Sequence, residues 1–234
     1  MGQIRLAGNP EIAVTVRRSA RARRLSLRIS QLDGRVTLTL PRAVPEREGA
    51  AFLRSKEAWL RRHLSAQCAP VEIGLGARLP IEGALHEVVS GAGRSVRLLD
   101  GQVQVPGDPD RVSARLSGFL KTLARDRLAR ASDLYAARLG RPYTRLTLRD
   151  TRSRWGSCTS DGALMYSWRL VLGHPEVLDY VAAHEVAHLR HMNHSRAFWD
   201  EVERLYGDWR PPRKWLKEHG NELHRYRFEA AGET

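Results

Sequence analysis

From Asp110 to Leu139 the apolar residues Val112, Leu116, Phe119, Leu120, Leu123, Leu128, Ala131 and Tyr135 recur three or four apart. That spacing predicts one long amphipathic helix, stopped by Gly140 with Pro142 just beyond. So long an apolar stripe must be covered by other elements, and the flanking sequence supplies them. Before it, residues 12–16, 25–29 and 36–40 alternate with period two, and Asp33-Gly34 between the last two marks a β-hairpin. Pro45 opens a stretch to about His63 with Phe52, Leu53, Trp59 and Leu60 at helical spacing. Short alternating, glycine-bearing segments from Val71 to Val105 predict further strands, which end at the turn-like Pro106-Gly107-Asp108-Pro109.

After the long helix, Thr144–Arg149 and Gly162–Leu170 read as two strands around the segment Arg154–Cys158. Pro175 starts a helix that runs through His188, and Ser195 is placed to N-cap a helix carrying Phe198, Trp199, Val202 and Leu205. The predicted class is α+β: an N-terminal β-rich region, 1–108, and a C-terminal α+β region, 109–234. No internal repeat is visible in the sequence.

Composition narrows the function. No apolar run approaches the ~20 residues of a membrane span, and the N-terminus lacks a secretory signal. Cys68 and Cys158 lie far apart and match no disulfide framework, so a reducing cytoplasm is the expected compartment. The 39 basic and 26 acidic residues leave a net charge of +13, nearly all of the basic side chains being arginine. Such a surface can attract nucleic acid, although no nucleic-acid motif accompanies it, and arginine-rich codon usage produces the same composition. Nothing in the chain specifies an oligomeric state.

The chemistry concentrates in His184-Glu185-Val186-Ala187-His188, an H-E-x-x-H segment. Side chains four apart on a helix share a face, and two imidazoles so placed can reach one ion at ~2.0–2.1 Å, the Zn–N distance. Glu185 is offset from the first ligand, where a carboxylate can act as general base without binding the metal. Nine histidines and 26 acidic residues would yield about 0.04 such segments by chance. The bland alternative is a pair of core histidines bonded to backbone carbonyls. A catalytic zinc needs a third protein ligand and an open position. His191, on a continuing helix, would stand ~10 Å along the axis from His184. His194 lies beyond Met192-Asn193, where asparagine tolerates the left-handed turn that would bring the chain back, and is the expected ligand. Cys158 could act as a nucleophile or simply pack on a strand.

Several motifs in order carry a resemblance: Arg23–Arg28, Arg154-Trp155-Gly156-Ser157-Cys158, Trp168-Arg169-Leu170, Asp179-Tyr180-Val181, the H-E-x-x-H segment, Asn193-His194-Ser195, Phe198-Trp199 and Trp215-Leu216-Lys217. Together they resemble the YgjP-like metal-dependent hydrolases, related to SprT-like and minimal gluzincin-type zinc metallopeptidases. The resemblance implies a zincin-like core over 109–234, a zinc ion held by His184, His188 and His194, and a peptide or protein substrate. It also implies that the strand around Leu164 to Trp168 borders the cleft, where an extended peptide could add as a further strand. Where the family usually carries asparagine before Trp-Arg-Leu, this chain has Ser167, whose hydroxyl can keep a hydrogen bond. Arg154 and Arg169 are expected to pair with buried carboxylates such as Asp179, the alternative being to polarise a substrate carbonyl, and Tyr166, Tyr180 and Tyr206 are candidate oxyanion donors. Trp155, Trp168, Trp199 and Trp215 are expected to pack the core and rim. The reading is a zinc-dependent metallohydrolase of the peptidase type with Glu185 as general base. The rival is a nucleic-acid-associated protein with a structural or regulatory zinc site, which a fourth ligand such as His191 or Cys158 would betray.

Overall fold

The alternating residues near the N-terminus form strands β1 (Gly2–Leu6), β2 (Ile12–Ser19), β3 (Ser26–Ile29) and β4 (Val36–Pro41) in the computed structural model, which describes residues 2–8, 10–30, 34–65 and 69–228. The chain divides into two units, Met1–Ala69 and Pro70–Thr234. In the first, the sheet order is β1-β2-β4-β3, with β2 and β4 parallel and the outer pairs antiparallel. β3 and β4 form the expected hairpin; Asp33 lies outside the described residues. Period two turns Ile12, Val14 and Val16 of β2, with Val36, Leu38 and Leu40 of β4, into one buried face. The helical stretch from Pro45 is two helices, α1 (Glu46–Ser55) and α2 (Glu57–Ser65), separated at Lys56, where ψ opens to 5°. They bury Leu53 and Leu60 in the same core as the sheet. Gly49 allows α1 its close approach, since a Cβ there would stand 2.7 Å from Leu40 Cδ2.

The second unit begins with β5 (Val71–Glu72), β6 (Arg78–Ile81), β7 (Ala84–Gly91), β8 (Arg97–Leu99) and β9 (Gln102–Pro106). The last four make a sheet of order β6-β7-β9-β8, again with a parallel central pair between antiparallel neighbours. The four-strand plan of the first unit therefore occurs twice, a repeat of topology that the sequence does not display. A two-residue turn joins β6 to β7, with φ of 50° at Glu82 and 81° at Gly83, the left-handed pair that a tight hairpin requires. The long helix forms as α3 (Val112–Leu139), and Gly140 closes it at φ 71°. Val103 and Val105 of β9 and Leu116, Leu120 and Leu128 of α3 share one core, so the change of pattern at residue 108 lies inside this unit.

Beyond α3 come β10 (Arg145–Arg149), β11 (Gly156–Cys158) and β12 (Ala163–Ser167), in the order β10-β12-β11. The segment expected merely to separate two strands is thus itself a strand, antiparallel to β12, while β10 runs parallel to β12. A 3₁₀ turn over Trp168–Leu172 leads into α4 (Pro175–Ala187), followed by α5 (Arg196–Tyr206), α6 (Arg210–His219) and β13 (Tyr226–Arg227), which pairs with β5. α4 buries residues on every side, Val177, Leu178, Val181, Ala182 and Val186 among them, and packs against α3, α5, α6 and β11. Arg169 anchors this region, donating to Asp150 Oδ1 and Oδ2 at 2.7 and 3.0 Å and to the carbonyls of Leu223 and Tyr226. It does pair, but with Asp150 rather than Asp179. No helix among the described residues is long and apolar enough to cross a membrane.

Candidate metal centre

α4 carries His184 and Glu185 in its last turn, and His188 is its C-terminal cap. The chain then tightens, with the amides of Leu189 and Arg190 bonding carbonyls three residues back, and leaves the helix axis. The early end answers the question left by His191. Its carbonyl accepts a 2.9 Å hydrogen bond from His188 Nδ1, while its imidazole turns to Glu201, 3.8 Å away. The chain returns so that His194 Nε2 lies 3.1 Å from His184 Nε2. The return does not use a left-handed asparagine, because Glu82 is the one non-glycine residue with positive φ among those described. Asn193 Oδ1 instead accepts from the Ser195 amide at 3.3 Å, a side-chain turn that aims the backbone into α5. Ser195 occupies the N-cap as expected, yet its side chain makes no capping bond.

The three imidazoles converge: one nitrogen from each of His184, His188 and His194 lies within 4.8 Å of the other two. Tetrahedral ligands at the Zn–N distance stand ~3.3 Å apart, so the 3.1 Å pair already fits and modest closure brings in the third. The hydrogen bond at His188 Nδ1 places its proton there, leaving Nε2 as a lone-pair donor. His184 is driven to about 3 by burial, reinforced by His188 and His194, and burial lowers His188 as well. Neutral rings are what a cation needs from its ligands. His184 Nδ1 is buried without a hydrogen-bond partner. Phe198 forms the floor, its ring centroid 4.4 to 4.9 Å from all three histidines, and Trp199 flanks His184 and His194. No other histidine, cysteine or carboxylate among the described residues joins this group. Cys158 is outside it; burial first, then the charge of Glu185, pushes its thiol up to about 11.

Glu185 is 6% exposed and faces β11. A Cβ on Gly156 would stand 2.6 Å from its Cγ and Oε1, so only glycine leaves room for this carboxylate. Burial raises Glu185 to about 8, against a smaller opposing pull from Arg154. The sequence carries no signal for the fit of Gly156 against Glu185 beyond the Trp-Gly-Ser motif that contains the glycine. Among the candidate oxyanion donors, the Tyr166 hydroxyl is buried against Ser132 Oγ and the Tyr206 hydroxyl donates to the Glu176 carbonyl. Tyr180 packs its ring on His184. Ser167 Oγ is buried with no partner, so the hydrogen bond expected of it is not made. Nor can a peptide add to β12, which has β10 on one side and β11 on the other; the sheet's edges are β10 and β11, and β11 is the one beside Glu185.

No curated protein matches this chain. A solved structure similar to it, the metallopeptidase zymogen abylysin of Pyrococcus abyssi, shares 22% identity over 44% of this chain and 97% of that one, with a TM-score of 0.35. The metallopeptidase domain of the YgjP-like family matches residues 23–219. With that match spanning most of the chain and three histidines gathered at one point, the protein belongs to the YgjP-like metallopeptidase family.

Proposed function

We propose that the protein is a zinc-dependent peptidase of zincin type, with His184, His188 and His194 as ligands and Glu185 as general base. The observation that carries this reading is the group of three converging imidazoles, with His184 and His188 driven toward the neutral form by burial and no fourth protein ligand beside them among the described residues. A structural zinc site is closed by four protein ligands, which counts against the rival reading of a nucleic-acid-associated scaffold. Zinc bound there would supply a Lewis acid that activates water and polarises the scissile carbonyl. Glu185 takes the proton from the attacking water and passes it to the leaving amine. Burial raises Glu185 in the metal-free protein, and a cation held beside it by the three histidines would draw it back toward the ionised form that a general base needs. The wall of β11 at Gly156 keeps the carboxylate in one place and water away from its far side.

The edge of β11 supports a peptide substrate. Trp155 O and Thr159 N both bond β12, so the groups of Ser157 between them face that strand and those of Gly156 and Cys158 face away. An extended peptide can add there, beside Glu185. The single free thiol among the described residues is in keeping with a reducing cytoplasm.

Glu185→Gln tests the mechanism. The amide keeps size and polarity but cannot take a proton, so zinc content should stay at the wild-type level. Peptide hydrolysis, found first by screening fluorogenic peptides and casein with added zinc, should fall by ~10²–10⁴-fold. Full activity in the variant would overturn the assignment.

A further inference from the structure

The sheet of β10, β12 and β11 has two unlike faces. Leu146, Leu148, Leu164 and Tyr166 turn to the core, and by alternation Arg145, Thr147, Arg149 and Ser157 share the other face. They line, with Arg154, a groove of about 510 Å³. Three guanidiniums and no carboxylate border it. None of the three arginines makes a close ion pair among the described residues: Asp161 and Glu185 feel the charges of Arg145 and Arg154 only at longer range, and Asp150 at the end of β10 is taken by Arg169. Unpaired cations in one concave surface favour an anionic occupant.

The groove lies across β11 from the candidate active site. Arg154 lines it and its charge is felt at Glu185, while Gly156, two residues on, abuts the Glu185 side chain. β11 therefore has Glu185 on one face and the groove on the other. Two features select polypeptide over nucleic acid. No aromatic ring lines the groove, so bases would find no stacking platform. Arg145 and Arg149 lie four residues apart on one strand, ~13 Å at ~3.3 Å per residue, a repeat that an extended peptide alongside matches residue for residue.

We propose that this groove binds an acidic, extended stretch of the polypeptide substrate, so that the enzyme selects proteins carrying glutamate- or aspartate-rich segments. The proposal rests on the peptidase reading and deepens it.

Binding is measured on the full chain carrying Glu185→Gln, which slows turnover ~10²–10⁴-fold, by fluorescence anisotropy of a labelled peptide alternating Glu and Thr. The acidic peptide should bind, should weaken as salt rises, and should outcompete both its lysine counterpart and single-stranded oligo-dT. Arg145→Glu with Arg149→Glu, both on exposed positions, should weaken binding at least about tenfold with an unchanged thermal melt. Equal binding by the double variant, no binding of the acidic peptide, or tighter binding of oligo-dT would each overturn the groove assignment. The two readings fail separately: hydrolysis of neutral peptides without acidic-peptide binding removes only the groove. Acidic-peptide binding by a protein that cleaves no peptide removes the peptidase.

Discussion

His191 and His194 are three residues apart and chemically identical, yet the structure gives them different work. His194 brings Nε2 to 3.1 Å from His184 Nε2, whereas His191 contributes a backbone carbonyl to His188 and points its ring at Glu201. A carbonyl survives substitution of its side chain. His191→Ala should therefore leave zinc affinity within a few-fold of wild type, while His194→Ala should lose more than the ~10–100-fold typical of an outer partner. Competition with a chromophoric chelator measures both, and the reverse ranking would dismiss His194 as the third ligand. His184 and His188 were legible because four-residue spacing is a property of the helix itself. The role of the His191 carbonyl was not, since every residue carries one and only the fold says where it points.

The turn between α4 and α5 is the element on which this difference depends. Ser195 has the N-cap backbone but no capping side-chain bond, and Asn193 Oδ1 holds the Ser195 amide instead. Ser195→Ala should then cost less than ~0.5 kcal/mol, below the ~1 kcal/mol usual for a lost cap. Asn193→Ala should cost about 1 kcal/mol and also weaken zinc binding, because the turn it holds carries His194. Thermal melts paired with zinc titration check this. A costlier Ser195→Ala, with zinc affinity untouched by Asn193→Ala, would mean the turn is held in another way. Strand β11 shows the limit of local reading: three residues are too few for alternation to register, and pairing with β12 makes the strand.

Across the whole molecule, ionisable groups with opposite demands meet at this centre, and they set its stability against pH. Glu185 rises from its ordinary 4.5 to about 8, so the folded state keeps a proton that the unfolded state releases. Stability is thereby lost as pH climbs from 4.5 towards 8. His184 falls from 6.5 to about 3, so its contribution is lost as pH drops below 6.5. Between 4.5 and 6.5 the two slopes oppose each other; above 6.5 that of Glu185 acts alone. EDTA-treated wild type should therefore lose stability relative to EDTA-treated Glu185→Gln between about pH 6.5 and 8, by on the order of a few kcal/mol. A gap between their melting curves that does not change with pH would contradict the burial of this carboxylate.

Elements whose signals are local are legible in the sequence. α3 announced its length, its face and its glycine stop, and α4 announced two histidines on one turn, because helical bonds join residues four apart. Tertiary structure alone decided what distant segments do to each other. It placed the unit boundary at residue 69, repeated the four-strand plan as β6-β7-β9-β8, and gave Arg169 to Asp150. It also set Gly156 against Glu185 across 29 positions of chain. Contacts of that kind depend on how sheets pair and helices pack, and no periodicity within one segment encodes them.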